Sequence, residues 1–531
     1  MMNFRKYTGI LALTALVSFS SCSEWDGHFE KGVDGNVLSS LSLYEALCQD
    51  RETQDFAKLV AQAGYDKVLS ESQTYTVFAP TNAALQNFDS SNKEELKRLV
   101  TNHIARFNNP SSTPAGQGIQ MLNGKIYNFD DASSFNGCHL DKADERTKNG
   151  LIHLVAERIP YAYNIYEYIK ANPNYSKLYD FIHQFDETKF DEDNSVEIDI
   201  DEQGRPVYDS VWVSYNKLLE HKTYGIGHIA KEDSIYTMLI PDNQAWDAAY
   251  ARIHPYYKVY STRQEEADSI QDIRTKLAIV SDLIYRGKHE HAATEDSLVS
   301  TNKSVIHQPA TLFGNTTSQF ASNGYIYPVS DLAYDNTETW NKKIAVEGEE
   351  QNGRSYNNTL TSVYTRTIKS ESSVKAVSGD SYIEVLPISA ATNPSVNFEI
   401  PNVLSGKYNI YAVFLPATMD GEEAELDSTK IQFTLSYQNT NGRNASKTNK
   451  SKDFLTSSKE MTKMLAFENF EFPVSDYTDN LWRSEDENKE EDLKVKTTLT
   501  IMTNVTAKEY SSGKYARSFR LDRIILEPIK N

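Results

Sequence analysis

Tyr75-Thr76-Val77-Phe78-Ala79-Pro80-Thr81-Asn82-Ala83-Ala84-Leu85 decides how the N-terminal half is read. Its pattern returns as Tyr236-Thr237-Met238-Leu239-Ile240-Pro241-Asp242-Asn243-Gln244-Ala245-Trp246. Each copy is a short run of apolar and β-prone residues that meets a proline, which has no amide to donate to a ladder. Thr81 or Asp242 then offers a side-chain oxygen to the free amides of a helix. A buried strand turning into a helix is predicted at both places, with Trp246 in the core where the first copy has Leu85.

The flanks of the two corners repeat as well. Ser42-Leu43-Tyr44-Glu45-Ala46-Leu47 matches Asn164-Ile165-Tyr166-Glu167-Tyr168-Ile169, each a helix start with Ser or Asn as cap. Asn149-Gly150-Leu151-Ile152-His153-Leu154-Val155 matches Asn323-Gly324-Tyr325-Ile326-Tyr327-Pro328-Val329. Here Asn-Gly predicts a tight hairpin turn with positive φ, followed by a returning strand of alternating apolar residues. Three segments recurring in one order predict two copies of one domain.

The corner and the Asn-Gly ending resemble the two signature stretches of fasciclin domains, carried by Thr81, Asn82, Asn149 and Gly150 in the first copy and by Asp242 and Asn243 in the second. Leu99-Val100-Thr101-Asn102-His103-Ile104 falls where that family carries a Tyr-His pair after a helix. His103 matches and Asn102 departs, which weakens the adhesive role the pair implies. Around Leu283-Ile284-Tyr285-Arg286 the second copy has lost the histidine. The resemblance implies fasciclin-like domains at about 36–160 and 161–335. The second is longer, chiefly before its corner, through the acidic stretch 186–202 and a strand-like run 207–213. Long insertions of this kind are candidate binding elements.

A polar stretch at 336–360 reads as a linker. From 361 to 531, short strands separated by Gly, Pro and Asn predict a β-sandwich. Ser405-Gly406-Lys407-Tyr408 and the closing Phe519-Arg520-Leu521-Asp522-Arg523-Ile524-Ile525-Leu526-Glu527-Pro528 resemble jelly-roll carbohydrate-binding modules. The expected fold class is thus α+β and multidomain, with two fasciclin-like domains before an all-β jelly-roll-like sandwich.

The first residues supply an address. Arg5 and Lys6 precede an apolar run over residues 8–19, too short to span a bilayer, and 1–21 reads as a signal peptide. Ser20-Ser21-Cys22 resembles the lipobox of bacterial lipoproteins, with Phe19 departing from the usual aliphatic residue. Lipidation of Cys22 and a tether over 22–35 are expected. The acidic Ser23-Glu24-Trp25-Asp26 resembles the surface-export signal of Bacteroidota-type lipoproteins, implying outer-membrane, cell-surface display.

The 531 residues carry 54 basic and 74 acidic side chains, a net charge of −20 that repels nucleic-acid backbones and anionic lipid. Besides Cys22 there are only Cys48 and Cys138, read as separate thiols with at least one buried. Asp199-Ile200-Asp201-Glu202-Gln203-Gly204 opens like a calcium loop but reaches Ser210 where a bidentate Glu belongs. His289-Glu290-His291 could present two imidazoles on one side of a strand, an arrangement that an exposed polar turn explains equally well, and neither a metal nor another cofactor is expected. No nucleophile elbow occurs, so an enzyme is the minority reading. Sugar rings stack on aromatics and need polar partners; the candidate contacts are Trp482, Arg483 and Trp212. The expected function is a non-enzymatic surface lipoprotein binding glycan or protein beside an outer-membrane transporter complex for polysaccharide uptake. An adhesion or matrix-binding lipoprotein and a cryptic glycan hydrolase are the alternatives.

Overall fold

In the computed structural model, which describes residues 40–190, 196–200, 206–209, 212–223, 225–369, 372, 374, 376–418, 428–477 and 495–530, both corner stretches form strands, Tyr75–Pro80 and Tyr236–Pro241. Cys22, Trp482 and Arg483 lie outside the described residues, and Trp212 is described through its backbone alone. The chain divides into two compact units, with the division between Ala162 and Tyr163.

In the first unit, Tyr75–Pro80 lies parallel to Gly150–Val155 and antiparallel to Ile104–Arg106, within a six-stranded sheet. Every residue of the two parallel strands is buried. The returning strand therefore does not alternate as expected: a strand covered on both faces is apolar throughout. Helices Leu43–Gln49, Gln54–Gln62 and Lys93–Asn102 supply a core of Leu43, Phe56, Val60, Leu96 and Val100 against Val77 and Ile152.

The second unit opens with the same arrangement. Tyr236–Pro241 lies parallel to Gly324–Val329 and antiparallel to Ile284–Arg286. The capping boxes Ser42/Glu45 and Asn164/Glu167 start matching helices, and Asp242 caps Asn243–Ile253 by accepting from Ala245 N at 2.8 Å. Trp246 is buried against Phe181. The added length before the corner forms strand pairs, Asp186–Phe190 with Trp212–Asn216 and Val196–Ile200 with Pro206–Asp209. After the corner it goes into helices: Asn243–Ile253 replaces a turn, and Gln264–Val280 outgrows its counterpart Lys93–Asn102.

The C-terminal part is a two-sheet sandwich. One sheet runs in space Thr361–Thr367, Ser381–Pro387, Phe519–Pro528, Gly406–Leu415, Thr462–Phe472. The other runs Arg354–Ser355, Ser395–Glu399, Thr498–Thr503, Ile431–Gln438, Asn444–Asn449. Phe398, Phe414, Phe433 and Tyr408 fill the space between them. The closing strand pairs back into the centre of the first sheet. Within the stretch 336–360, Ile344–Glu347 pairs antiparallel with that strand; a four-residue strand among polar neighbours carries too little period to show in sequence.

Candidate functional site

The signature residues of both repeats hold backbone together. Asn149 Oδ1 accepts from Leu43 N at 2.8 Å while its Nδ2 donates to Leu69 O and Glu71 O at 3.0 and 2.6 Å. Asn323 does the same, accepting from Ile165 N and donating to Ile229 O and Lys231 O. Asn82 accepts from Asp55 N and donates to Arg51 O, as Asn243 accepts from Lys177 N and donates to Pro173 O. Thr81 Oγ1 takes Ala84 N at 3.2 Å. The hairpin expected at each Asn-Gly is present, Thr147 pairing with Gly150 and Ala321 with Gly324, and Gly324 has the expected positive φ of 144°, but both glycines meet a further demand. Gly150 has no positive φ; an added Cβ there would stand 2.0 Å from Tyr75 O, and at Gly324 1.7 Å from Tyr236 O. Close approach of two backbones, which only glycine allows, is the requirement.

His103 is buried completely, its Nδ1 at 2.8 Å from Leu99 O and its Nε2 accepting from Ile159 N at 3.0 Å. Burial holds its imidazole down to about 4. Asn102, also buried, donates to Ile159 O and accepts from Asn123 Nδ2 and Tyr127 OH. Every polar group of the pair is thus met inside the domain. Backbone bonds fix the matching positions in the second repeat: Phe78 N donates to His103 O as Leu239 N donates to Leu283 O, and Leu122 N to Ile104 O as Thr301 N to Ile284 O. Leu283 therefore stands for His103, and Asp282 for Asn102.

A cleft opens beside this position in each repeat. That of the first, about 270 Å³, is lined by Arg98, Asn102, Arg158 and Tyr161 among others, with Arg98 paired to Glu95. That of the second, about 250 Å³, lies where the repeat meets the sandwich, between Ala278 and Asp282 on one side and Trp340, Lys342, Lys343, Asn402 and Tyr408 on the other. Tyr257 and Tyr477, edge to face at 5.3 Å, add aromatic surface. Asp282 is 1% exposed; its Oδ1 accepts from Ser300 Oγ at 2.5 Å and its Oδ2 has no hydrogen-bond partner among the described residues. Trp340 Nε1 is likewise buried without a partner among the described residues. Unmet buried polar atoms cost about 1–3 kcal/mol each, so the second cleft carries a demand for hydrogen bonds that the first does not. The described residues that line it are scattered from 257 to 477 and share no local motif, while Trp482, Arg483 and the side chain of Trp212 lie outside the described residues.

Other chemistry-bearing groups are accounted for locally. His289 Nδ1 is 2.8 Å from Glu295 and its Nε2 2.8 Å from Arg286 O. Cys48 and Cys138 are separate thiols, the first exposed and the second buried. Among the described residues no group of three or more His, Cys, Asp or Glu is gathered to hold a metal ion. Glu347, Glu349 and Asp522 in the sandwich each have one buried carboxylate oxygen that accepts no hydrogen bond among the described residues, that of Asp522 lying 3.6 Å from Arg523 Nε. Burial, reinforced by Glu347 and Glu349, pushes the Asp522 carboxyl up to about 6 although Ser378 N and Arg523 counter it.

Residues 51–159 match the family model of the fasciclin domain. Human periostin is 26% identical over 132 residues, 24% of this chain and 16% of periostin, so the chain spans about a sixth of that curated relative's length. Among solved structures, the FAS1 domain pair of the insect cell adhesion molecule Fasciclin I is similar at 12% identity, covering 54% of this chain and 98% of that one with a TM-score of 0.20. The CBM22-2 xylan-binding domain from Paenibacillus barcinonensis is similar at 10% identity, covering 35% and 98% with a TM-score of 0.20. Over residues 51–159 the first repeat has the fasciclin-domain fold.

Proposed function

We propose that this protein is a non-enzymatic binding protein of the outer-membrane surface, anchored by lipid on Cys22, that holds glycan in the cleft between its second repeat and its sandwich and serves a polysaccharide-uptake complex. The observation that carries the reading is the cleft itself. Pairing aromatic faces with unmet polar atoms is what a sugar ring requires, and junctions between domains are favoured places for such sites. Asp282 is the one carboxylate among its described lining residues. Glycoside hydrolysis needs two at a set separation, so this supports binding over turnover. The acidic residues after Cys22 support surface display. The fasciclin domain favours a second reading, adhesion to a protein partner, with the cleft incidental.

Affinity electrophoresis of the purified protein in gels containing a polysaccharide panel separates these. Retardation by at least one polysaccharide, lost in a Trp340→Ala variant, is the expected result, together with co-purification of a transporter from membranes. Unchanged mobility in every gel sinks the glycan reading in favour of adhesion, and released product revives the hydrolase.

A further inference from the structure

Among the differences between the two clefts, the exchange of Asn102 for Asp282 carries a physical cost. In the first repeat the amide of Asn102 gives and takes hydrogen bonds and leaves nothing unmet. At the same place the second repeat carries a carboxylate, whose extra acceptor, Asp282 Oδ2, is buried and unanswered. A buried carboxylate oxygen demands a donor, and the described residues supply only Ser300 Oγ, on the other oxygen. Against the same cavity stand Lys342 and Lys343, both exposed and neither ion-paired among the described residues. In a chain of net charge −20, two consecutive unpaired lysines at one cleft are a local reversal of sign.

We infer that the cleft takes an anionic sugar unit, with a ring hydroxyl donating to Asp282 Oδ2 and the negative group of the sugar against Lys342 and Lys343. The inference rests on the glycan reading above and adds its ligand class. A neutral sugar would answer Asp282 and Trp340 but leave the lysines idle. A cationic ligand would suit Asp282 and be repelled by the lysines. A simple anion would meet the lysines but be repelled by the carboxylate. A sugar bearing both hydroxyls and a carboxylate or sulfate meets all three, and repulsion from Asp282 fixes its orientation, negative group toward the lysines. The indole Nε1 of Trp340 supplies a donor for a second hydroxyl. Carboxylate and sulfate share the chemistry that the lysines read, so the ligand's source is an outcome of the test.

Calorimetric titration of the full-length protein with galacturonate oligomers, sulfated galactan oligomers and neutral galactan oligomers decides the matter. The expected result is binding of one anionic series, weakened by rising salt and by Lys342→Ala/Lys343→Ala by about tenfold. Asp282→Asn, which installs the residue of the first repeat, should weaken binding by a similar factor while the unfolding temperature stays level or rises; that control separates lost contact from lost fold. Preference for galacturonate assigns carboxylate, and preference for the sulfated series assigns sulfate. Equal binding of the neutral series, with the lysine variant unchanged, overturns the anionic assignment and leaves glycan binding standing. No binding by any of the three overturns the inference, and where the polysaccharide gels retard the protein the glycan reading outlives it.

Discussion

Two buried ionisable residues, one in each unit, give opposite responses to pH. The unfolded chain protonates His103 near its ordinary value of 6.5, but the folded first unit does so only near 4. Acid therefore favours the unfolded state, and the stability of this unit should fall by about 3 kcal/mol as pH drops through that window. Asp522 has the reverse sign. Its folded carboxyl releases a proton near 6 and its unfolded one near 3.8, so this contribution is lost as pH rises from about 4 to about 6. Urea unfolding in buffer free of divalent cations checks both, read as the difference between parent and variant across pH. His103→Gln should flatten the acid loss of the first unit, and Asp522→Asn should stabilise the second above pH 6. A parent and an Asp522→Asn variant of equal stability at pH 7 would show that the carboxylate is already compensated there.

At the scale of elements, the paired Asn-Gly clasps explain why the repeat is readable at all. Each asparagine joins three backbone segments and each glycine admits a strand at contact distance, so both demands fall on residue identity rather than on general apolarity. Gly324→Ala should be worse than an ordinary exposed Gly→Ala change, costing more than about 3 kcal/mol, because the new methyl overlaps Tyr236 O and the φ of 144° resists a side chain. Asn149→Ala should cost about 2–4 kcal/mol by orphaning buried backbone groups. Thermal unfolding of the two single variants measures this, and a loss under 1 kcal/mol at either position would mean that the clasp can be replaced by water. Corner, caps and hairpin are local and legible, whereas the asparagine clasps, the all-buried returning strand and the close approach at Gly150 are not, because the segments they meet lie far along the chain. The cleft was not legible: Asp282, Trp340 and Lys343 meet only through tertiary folding, and Asp282 reads as one acidic residue among many until backbone bonds align it with Asn102.

For the molecule as a whole, the second repeat and the sandwich are built as one body. Leu404 from the sandwich is packed into the repeat's core. Ser405 N donates to Tyr256 O at 2.8 Å and Ser405 Oγ to Pro255 O at 2.8 Å, while Ser475 N donates to Lys258 O at 2.6 Å. Tyr408 OH reaches Asn341 Oδ1 at 3.1 Å, and Lys530 pairs with Asp335 at 2.7 Å. Splitting the two would expose apolar surface around Leu404 and leave the carbonyls of Pro255, Tyr256 and Lys258 to water. A fragment of residues 163–335 should therefore be unstable or aggregate, whereas 163–531 should unfold in one transition and 40–162 should fold alone on its own core. Calorimetry of the three fragments tests this, and a cooperative transition in 163–335 would refute the joint body. The consequence for function follows from where the cleft lies. Its walls come from both halves, so a ligand bound there stabilises only the joined form, by RT ln(1 + [L]/Kd), about 2.7 kcal/mol at a hundredfold excess over Kd. A glycan that raises the unfolding temperature of 163–531 and leaves that of 40–162 unmoved places binding at the junction; an equal shift in both fragments would move the site to a feature the two repeats share.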